Sequence, residues 1–121
     1  MLTFTPSNQS FIFSKMITQN KINEVVNKIA LNYQPEKIIL FGSYAFGTPN
    51  EDSDLDLIII KNTDTPEQKR GWEVRKFLIG SLVPMDILIY TPKEFEDELK
   101  SKYSFVSSVI SETKLLYERK G

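Results

Sequence analysis

The stretch KIILFGSYAFG (residues 37–47) is followed, after a polar loop, by SDLDLIII (residues 53–60). Each stretch contains an apolar run of strand length next to turn residues, which is typical of a buried β-strand. Between the two predicted strands, Gly42 and Ser43 turn the chain, and residues 44–46 predict a short helix that ends at Gly47. The pattern predicts two buried strands connected through a glycine turn.

Further helices and strands surround this centre. Apolar residues recur at helical spacing from Asn20 to Tyr33, and Pro35 stops that helix. A threonine followed by proline, with Gln or Glu two residues after the proline, gives a capping-box signal at Thr65 and again at Thr91. The remaining predicted elements are a helix over residues 65–80, a strand over 85–90, helices over 91–100 and 105–110, and a short strand over 114–117.

This order of elements predicts an α/β (α+β) fold in which a small mixed sheet is flanked by helices. The 121 residues fit one domain. We place that domain at residues 19–121, because residues 1–18 carry no helical periodicity and are expected to form an N-terminal extension or arm. Within the arm, the apolar stretch 11–13 is a candidate for a short strand or for contact with a partner.

Composition excludes several kinds of chemistry. Fifteen basic residues nearly balance sixteen acidic ones, so the chain has no overall attraction to a polyanion, which argues against direct nucleic-acid binding. The absence of Cys and His excludes disulfides, thiolate zinc sites and imidazole catalysis. No apolar run approaches the roughly 20 residues of a membrane span, and we expect a cytoplasmic protein.

Two carboxylates fall at alternate positions around the second predicted strand. Side chains alternate between the faces of a strand, so Asp54 and Asp56 share a face with their Cα atoms about 7 Å apart. Asp86 lies in the third predicted strand among apolar neighbours, where an unpaired charge is costly to bury. If the second and third strands are neighbours, the three carboxylates converge. Such a set suits Mg²⁺ and can hold two ions that clamp the attacking and leaving oxygens of a displacement.

Gly42 and Ser43 offer a site for an anion. A glycine turn lets backbone N–H groups approach a phosphate closely, a following helix N-terminus favours negative charge, and the serine hydroxyl can add a hydrogen bond. Taken singly, each motif has a plain structural explanation: a turn for Gly-Ser, a solvated strand start for Asp54 and Asp56, and an exposed strand end for Asp86. Their joint order and spacing favour a site that holds the phosphates of a nucleotide together with metal ions.

The joint motif resembles that of the nucleotidyltransferase superfamily that includes DNA polymerase beta, and most closely that of its minimal nucleotidyltransferase branch. The family pattern is Gly-Ser, a short helix, Asp-x-Asp about ten residues later, and a third Asp on a later strand. The residues that match it are Gly42, Ser43, Asp54, Asp56 and Asp86. The resemblance covers residues 22–117 and implies a polymerase-beta-like palm, a mixed sheet with its helices on one side.

The same resemblance implies roles for the site residues. Asp54 and Asp56 would bind both of two Mg²⁺ ions, and Asp86 would complete the catalytic metal site and assist deprotonation of the attacking hydroxyl. ATP is the implied substrate. Family members of this size often pair with a HEPN-domain ribonuclease toxin, which the nucleotidyltransferase neutralises by moving AMP to a toxin tyrosine. The resemblance thus predicts an adenylyltransferase antitoxin with a HEPN toxin as its partner.

The chain departs from the family pattern at one position. Many members carry arginine after the alanine of the Gly-Ser helix, whereas Phe46 follows Ala45 here. A cation near the phosphates is therefore absent from its usual place, and Lys61, Arg70 and Arg75 are candidates to replace it.

Two other functions fit the same residues. The chain would act as a non-catalytic antitoxin, through complex formation alone, if Phe46 makes transfer weak or absent. Nucleotidyl transfer to a small molecule such as an aminoglycoside is less favoured, because 121 residues leave no room for a second domain that forms an acceptor pocket. The same argument, with the balanced charge, disfavours a template-directed polymerase.

Overall fold

The computed structural model describes residues 16–120, so most of the predicted arm, with its apolar stretch 11–13, lies outside the described residues. Within the described part no helix has the length and apolar character needed to cross a bilayer. The elements are α1 (Gln19–Tyr33), β1 (Lys37–Phe41), α2 (Ser43–Phe46), β2 (Leu55–Ile60), α3 (Glu67–Arg75), β3 (Met85–Tyr90), α4 (Pro92–Lys100), α5 (Phe105–Val109) and β4 (Lys114–Glu118), with 3-10 turns at Lys76–Leu78 and Ile110–Glu112.

The four strands form one mixed sheet in the order β3-β2-β1-β4. β1 is antiparallel to both of its neighbours, whereas β2 runs parallel to β3. A parallel pair needs a long crossover connection, and residues 61–84, which include α3, supply it. The predicted α/β (α+β) class, with a small mixed sheet flanked by helices, is confirmed.

Helices cover both faces of the sheet. On one face, α1 and α3 pack over Leu55, Leu57 and Ile59 in the larger of two apolar clusters. On the other face, α4 and α5 contribute Phe95 and Val109 to a smaller cluster. The expectation of helices on one side is therefore wrong for this chain. Successive residues of β1 and β2 are apolar, and strands of that kind need cover on both faces.

The residues just before α1 are held against the domain. The Thr18 hydroxyl caps the helix by accepting a hydrogen bond from the Lys21 backbone N–H at 3.1 Å. The backbone N–H of Ile17 donates to the Tyr44 hydroxyl at 2.8 Å, and the Ile17 side chain packs on the larger cluster. Tyr44, although it follows the glycine turn, therefore has a structural role in attaching this segment.

One of the two predicted capping boxes forms. Thr91 Oγ1 accepts from the Glu94 backbone N–H at 3.1 Å, and Glu94 Oε1 accepts from the Thr91 N–H at 2.8 Å. The other prediction is wrong, because α3 has no side-chain cap and the Thr65 hydroxyl instead donates to Glu73 Oε2 at 2.9 Å. A threonine hydroxyl that bonds to another side chain no longer caps the N-terminus of the helix.

A buried arginine ties α3 to α4 and to the outer edge of β3. Arg70 is 6% exposed, and its guanidinium donates to the two Glu94 carboxylate oxygens at 2.6 and 3.2 Å. It also donates to the backbone carbonyls of Thr65 at 2.8 Å and Ile89 at 3.4 Å. The hydrogen bonds between the two side chains raise the pKa of Arg70 and lower that of Glu94, so both groups stay charged.

We expect Arg70→Met to lower the free energy of unfolding by about 2 kcal/mol, because two backbone carbonyls lose their donor and Glu94 loses its partner. Denaturant unfolding of the full chain measures the change. The matched control is Lys93→Met, which breaks an exposed ion pair with Asp97 and should change stability by less than about 0.5 kcal/mol. Equal losses in the two variants would contradict a structural role for the buried pair.

Candidate active site

The turn after β1 brings the backbone against a carboxylate. Gly42 has φ +76° and ψ −159°, a combination that is essentially restricted to glycine. A Cβ at this position would collide with the Asp56 carboxylate, whose Cγ would lie only 3.0 Å away. Both the backbone conformation and the available space therefore require glycine here, and Asp56 lies directly beside the turn.

The three predicted carboxylates lie at one end of the β2–β3 pair. Asp56 is opposite Asp86 in the parallel register, and Asp54, which precedes β2, falls on the same side of the chain by strand alternation. The backbone N–H of Leu55 donates to the Pro84 carbonyl at 2.9 Å, which joins the two strand starts. From the sequence we expect the three carboxylates to converge if the second and third strands are neighbours, and β2 and β3 are neighbours.

The carboxylates act on one another electrostatically. Burial, followed by the negative charges of Asp86 and Asp54, raises the pKa of Asp56 from 3.8 to about 6. Both burial and neighbouring charges of the same sign disfavour the ionised form of a carboxyl group. Asp54 and Asp86 are themselves exposed. This end of the sheet therefore concentrates negative charge that a bound cation would neutralise.

The chemistry of these donors suits Mg²⁺, although they do not form a closed cage. Carboxylate oxygens are the ligands that Mg²⁺ prefers in proteins. Within residues 16–120, no three acidic, His or Cys side chains gather closely enough to enclose an ion by themselves. Mg²⁺ is commonly bound through one or two carboxylates together with water and substrate phosphates. The residues present therefore fit an ion that is shared with a phosphate-bearing substrate.

The backbone of the turn has a fixed shape. The Gly42 carbonyl accepts the N–H groups of Ala45 and Phe46, each at 3.0 Å, and the carbonyl of half-buried Ser43 accepts that of Gly47 at 2.9 Å. The first N–H groups of a helix have no partner within the helix. In α2, the N–H groups without a partner in the helix belong to the residues directly after Gly42. That Gly42 and Ser43 hold a phosphate stays a prediction.

Of the three cations considered in place of the missing arginine, one contacts the strand that carries Asp86, at the residue just before it. The Arg75 guanidinium donates to the carbonyl of Met85 at 3.1 Å, and Met85 directly precedes Asp86. Lys61 and Arg70 lie towards the opposite end of the β2–β3 pair, where backbone carbonyls and a glutamate engage them. The positions of the three side chains therefore leave Arg75 as the candidate to replace the missing arginine.

The structure also brings to the turn an aromatic cluster that the sequence analysis missed. Phe105 of α5 packs edge to face on Phe41 of β1, with ring centroids 5.5 Å apart. Phe46 lines the same cavity and is 57% exposed. No sequence signal relates α5 to the turn, because the two segments are distant in the chain and meet only through tertiary packing.

Comparison with known proteins gives a family and close relatives in sequence. A family model described as a nucleotidyltransferase domain matches residues 20–117, close to the range 22–117 of the sequence resemblance. In Methanocaldococcus jannaschii, a protein provisionally named protein adenylyltransferase MJ0604 is 32% identical over 106 residues, which cover 84% of this chain and 100% of that protein.

Solved structures share the fold. A protein of Sulfolobus solfataricus, provisionally described as a nucleotidyltransferase, superposes with a TM-score of 0.58 at 20% identity and covers 98% of this chain and 93% of its own. A toxin–antitoxin solved with AMP-PNP superposes with a TM-score of 0.57 at 23% identity, over 84% of this chain and 75% of its own. At these identities the likeness concerns the fold alone.

We expect Gly42→Ala to destabilise the domain by about 3 kcal/mol, since it adds strain at a glycine-only conformation to the collision with Asp56. Gly47→Ala is the matched control, because Gly47 also has a positive φ, of +89°, but no atom lies within 4 Å of its added Cβ. That variant should cost about 1 kcal/mol, from backbone strain alone. Thermal unfolding of both variants measures the difference, and equal costs would show that Asp56 does not lie against the turn.

The raised pKa of Asp56 predicts a pH-dependent stability of the metal-free chain. Between pH 3.8 and about 6 the folded chain holds a proton that the unfolded chain has released, so stability falls as pH rises through this window and stays lower above it. We expect Asp56→Asn to raise the free energy of unfolding at pH 7.5 by about 1 kcal/mol, a value discounted for the partial exposure of the group.

Denaturant unfolding across this pH range, in the presence of a chelator, measures the effect. The matched control is Asp97→Asn, whose carboxylate is exposed and paired with Lys93 and which should give no such gain. A destabilised Asp56→Asn protein at pH 7.5 would mean that burial of the charge and its repulsion by Asp86 and Asp54 do not govern the stability at this position.

Proposed function

The chain belongs to the nucleotidyltransferase domain family, and on that premise we propose that it is an antitoxin of the minimal nucleotidyltransferase type. In this proposal the enzyme uses Mg²⁺ and transfers AMP from ATP to a tyrosine hydroxyl of a HEPN ribonuclease toxin. The observation that carries the proposal is the register of the β2–β3 pair, which sets Asp56 opposite Asp86 and beside Gly42. Without that convergence the motif would be a set of separate surface carboxylates.

Two relatives support an adenine nucleotide and a protein acceptor. MJ0604, matched over its whole length, is provisionally named a protein adenylyltransferase, and the toxin–antitoxin of similar fold was solved with AMP-PNP. Those names describe the other proteins. We extend them to this chain because its own carboxylates and glycine turn offer what a nucleoside triphosphate requires, oxygen ligands for a metal ion and backbone donors for phosphate.

The proposed reaction exchanges one phosphorus–oxygen bond for another. The acceptor hydroxyl oxygen bonds to the α-phosphorus of ATP while the bond to the bridging oxygen breaks and pyrophosphate leaves. Gly42 and Ser43 hold the phosphates through N–H groups and a hydroxyl, and Asp86 accepts the proton of the attacking hydroxyl. Bound at Asp54, Asp56 and Asp86, two Mg²⁺ ions would neutralise phosphate charge and make the hydroxyl more acidic.

A protein acceptor agrees with the surface of the domain. On α3 and in the segment between α3 and β3, large apolar side chains are exposed to solvent: Trp72 is 69% exposed, Ile79 76% and Leu82 95%. Where exposed apolar groups form a patch, they commonly mark contact surfaces between proteins. The exposure of Trp72 excludes a place in the core. A toxin that docks over this segment is consistent with the proposal.

A second function has one specific observation in its favour. Phe46 stands where many family members carry arginine, and it is exposed, so the turn itself offers no cation to the phosphates. A chain in which transfer is too slow to matter would neutralise its toxin by binding alone. Against this alternative, a protein that only binds gains nothing from a carboxylate whose pKa is raised by burial and by the neighbouring charges of Asp86 and Asp54.

The decisive experiment incubates the purified chain with ATP, Mg²⁺ and the partner encoded beside it, and measures the intact mass of both proteins. The proposal predicts a gain of one or more AMP masses on the partner. Asp54→Asn should reduce the transfer rate by at least about 100-fold, because it removes a charged metal ligand from the site. Excess chelator should have the same effect on the unmodified chain.

The control variant is Asp97→Asn, which changes an exposed carboxylate on α4 and should transfer AMP at the normal rate. Retained transfer in Asp54→Asn would contradict the mechanism. A stable complex without any mass gain, together with toxin neutralisation that survives Asp54→Asn, would instead establish the binding antitoxin.

A further inference from the structure

An aromatic slot opens beside the glycine turn, between α2 and α5. Its volume is about 150 Å³, which in other proteins is enough to hold a single aromatic ring. Phe41 and Phe105 contact each other edge to face there, and the slot extends to Phe46, Val109 and Glu112. Phe105 is 46% exposed and Phe46 57%, so two aromatic rings face solvent where a soluble domain would usually bury them.

The slot and the candidate active site share one residue. Gly42 lines the slot, and the same glycine lies against the Asp56 carboxylate. Phe41 is opposite Asp56 in the antiparallel register of β1 and β2, so both side chains project from the same face of the sheet. A molecule whose phosphates occupy the turn would therefore find the slot directly alongside.

We propose that this slot binds the base of the nucleotide and that Glu112 selects a base carrying an exocyclic amine, as adenine does. The inference rests on the proposed function, because it assigns the base of the same ATP whose phosphates lie at Gly42 and Ser43. Phe46 and Phe105 supply faces on which a base stacks, as aromatic side chains do in other nucleotide-binding sites. The phenylalanine at position 46 thereby gains a role that arginine does not provide.

Glu112 supplies the selective contact. It lies in the 3-10 turn Ile110–Glu112 after α5 and lines the slot. An ionised carboxylate only accepts hydrogen bonds, so the base edge that meets it must donate. The amino group of adenine donates, whereas a purine without that group presents no donor at the same position. A site that hydrogen-bonds a substrate group discriminates strongly against the analogue lacking it.

The aromatic side chain of the protein acceptor is the competing occupant. The base is favoured because Gly42 belongs to both the slot and the turn that would hold the phosphates, and base and phosphates are parts of one molecule. The exposed apolar residues proposed to contact the toxin lie elsewhere, on α3 and in the segment that leads from it to β3. The two occupants differ in a measurable way, since only the first makes nucleotide affinity depend on the slot.

The test measures dissociation constants by calorimetry on the full chain with Mg²⁺ present. Three ligands are compared: ATP, the triphosphate of purine riboside, which lacks the exocyclic amine, and inorganic tripolyphosphate, which has no base. The variants are Phe46→Leu, Phe105→Leu and Glu112→Met. The matched control is Tyr103→Leu, an aromatic residue that is 89% exposed and precedes α5.

We expect Phe46→Leu and Phe105→Leu each to weaken ATP binding by about tenfold, the scale of one base–aromatic stack. Tripolyphosphate affinity should stay unchanged, which also shows that the variants are folded. The preference of the unmodified chain for ATP over purine riboside triphosphate should disappear in Glu112→Met, which has no oxygen to accept the hydrogen bond, and Tyr103→Leu should behave as the unmodified chain.

Unchanged ATP affinity in both phenylalanine variants, or an equal loss for ATP and tripolyphosphate, would overturn the base slot. Weaker binding of the toxin partner with normal ATP affinity would assign the slot to the acceptor. If the unmodified chain binds neither ATP nor tripolyphosphate, the proposed function fails and this inference fails with it. These outcomes separate an error in the subsite from an error in the reaction.

Discussion

Repulsion between carboxylates on neighbouring parallel strands is the constraint on which the rest of the site depends. Asp56 faces Asp86 across the β2–β3 register, and like charges in direct opposition destabilise a sheet. The fold holds them there because β2 is anchored elsewhere: Leu55 and Leu57 are fully buried, and the Leu55 N–H bonds to Pro84 at the start of β3. The free energy of burial along β2 offsets the local cost of the charges, and a bound cation would remove that cost.

Charge is distributed unequally between the two ends of this strand pair. At the end away from the carboxylates, Lys61 and Arg70 are engaged by backbone carbonyls and by Glu94. At the carboxylate end, Arg75 bonds to the backbone before Asp86, and none of the ion pairs within residues 16–120 includes Asp54, Asp56 or Asp86. The basic residues therefore stabilise the fold where no substrate is expected, and negative charge remains at the predicted metal site.

Local sequence signals predicted the elements well where a single strong pattern acted. The strand ranges 37–41, 55–60 and 85–90 are as expected, as is the cap at Thr91, because apolar runs and capping residues act over a few neighbouring positions. The predicted cap at Thr65 failed because Glu73, from the following helix turns, takes its hydroxyl. The family resemblance implied helices on one side only, although strands that are apolar on both faces, as β1 and β2 are, require cover on both.

The sequence by itself determined the components of the candidate site: the glycine turn, the carboxylates at alternate positions, and the family to which they belong. Only the tertiary structure decided which strands are neighbours, that Asp56 lies against Gly42, that Arg75 rather than Lys61 contacts the start of β3, and that Phe105 meets the turn. The reason is physical. Spacing along a strand fixes the face on which a side chain lies, whereas contacts between distant segments depend on how helices and strands pack to bury the core.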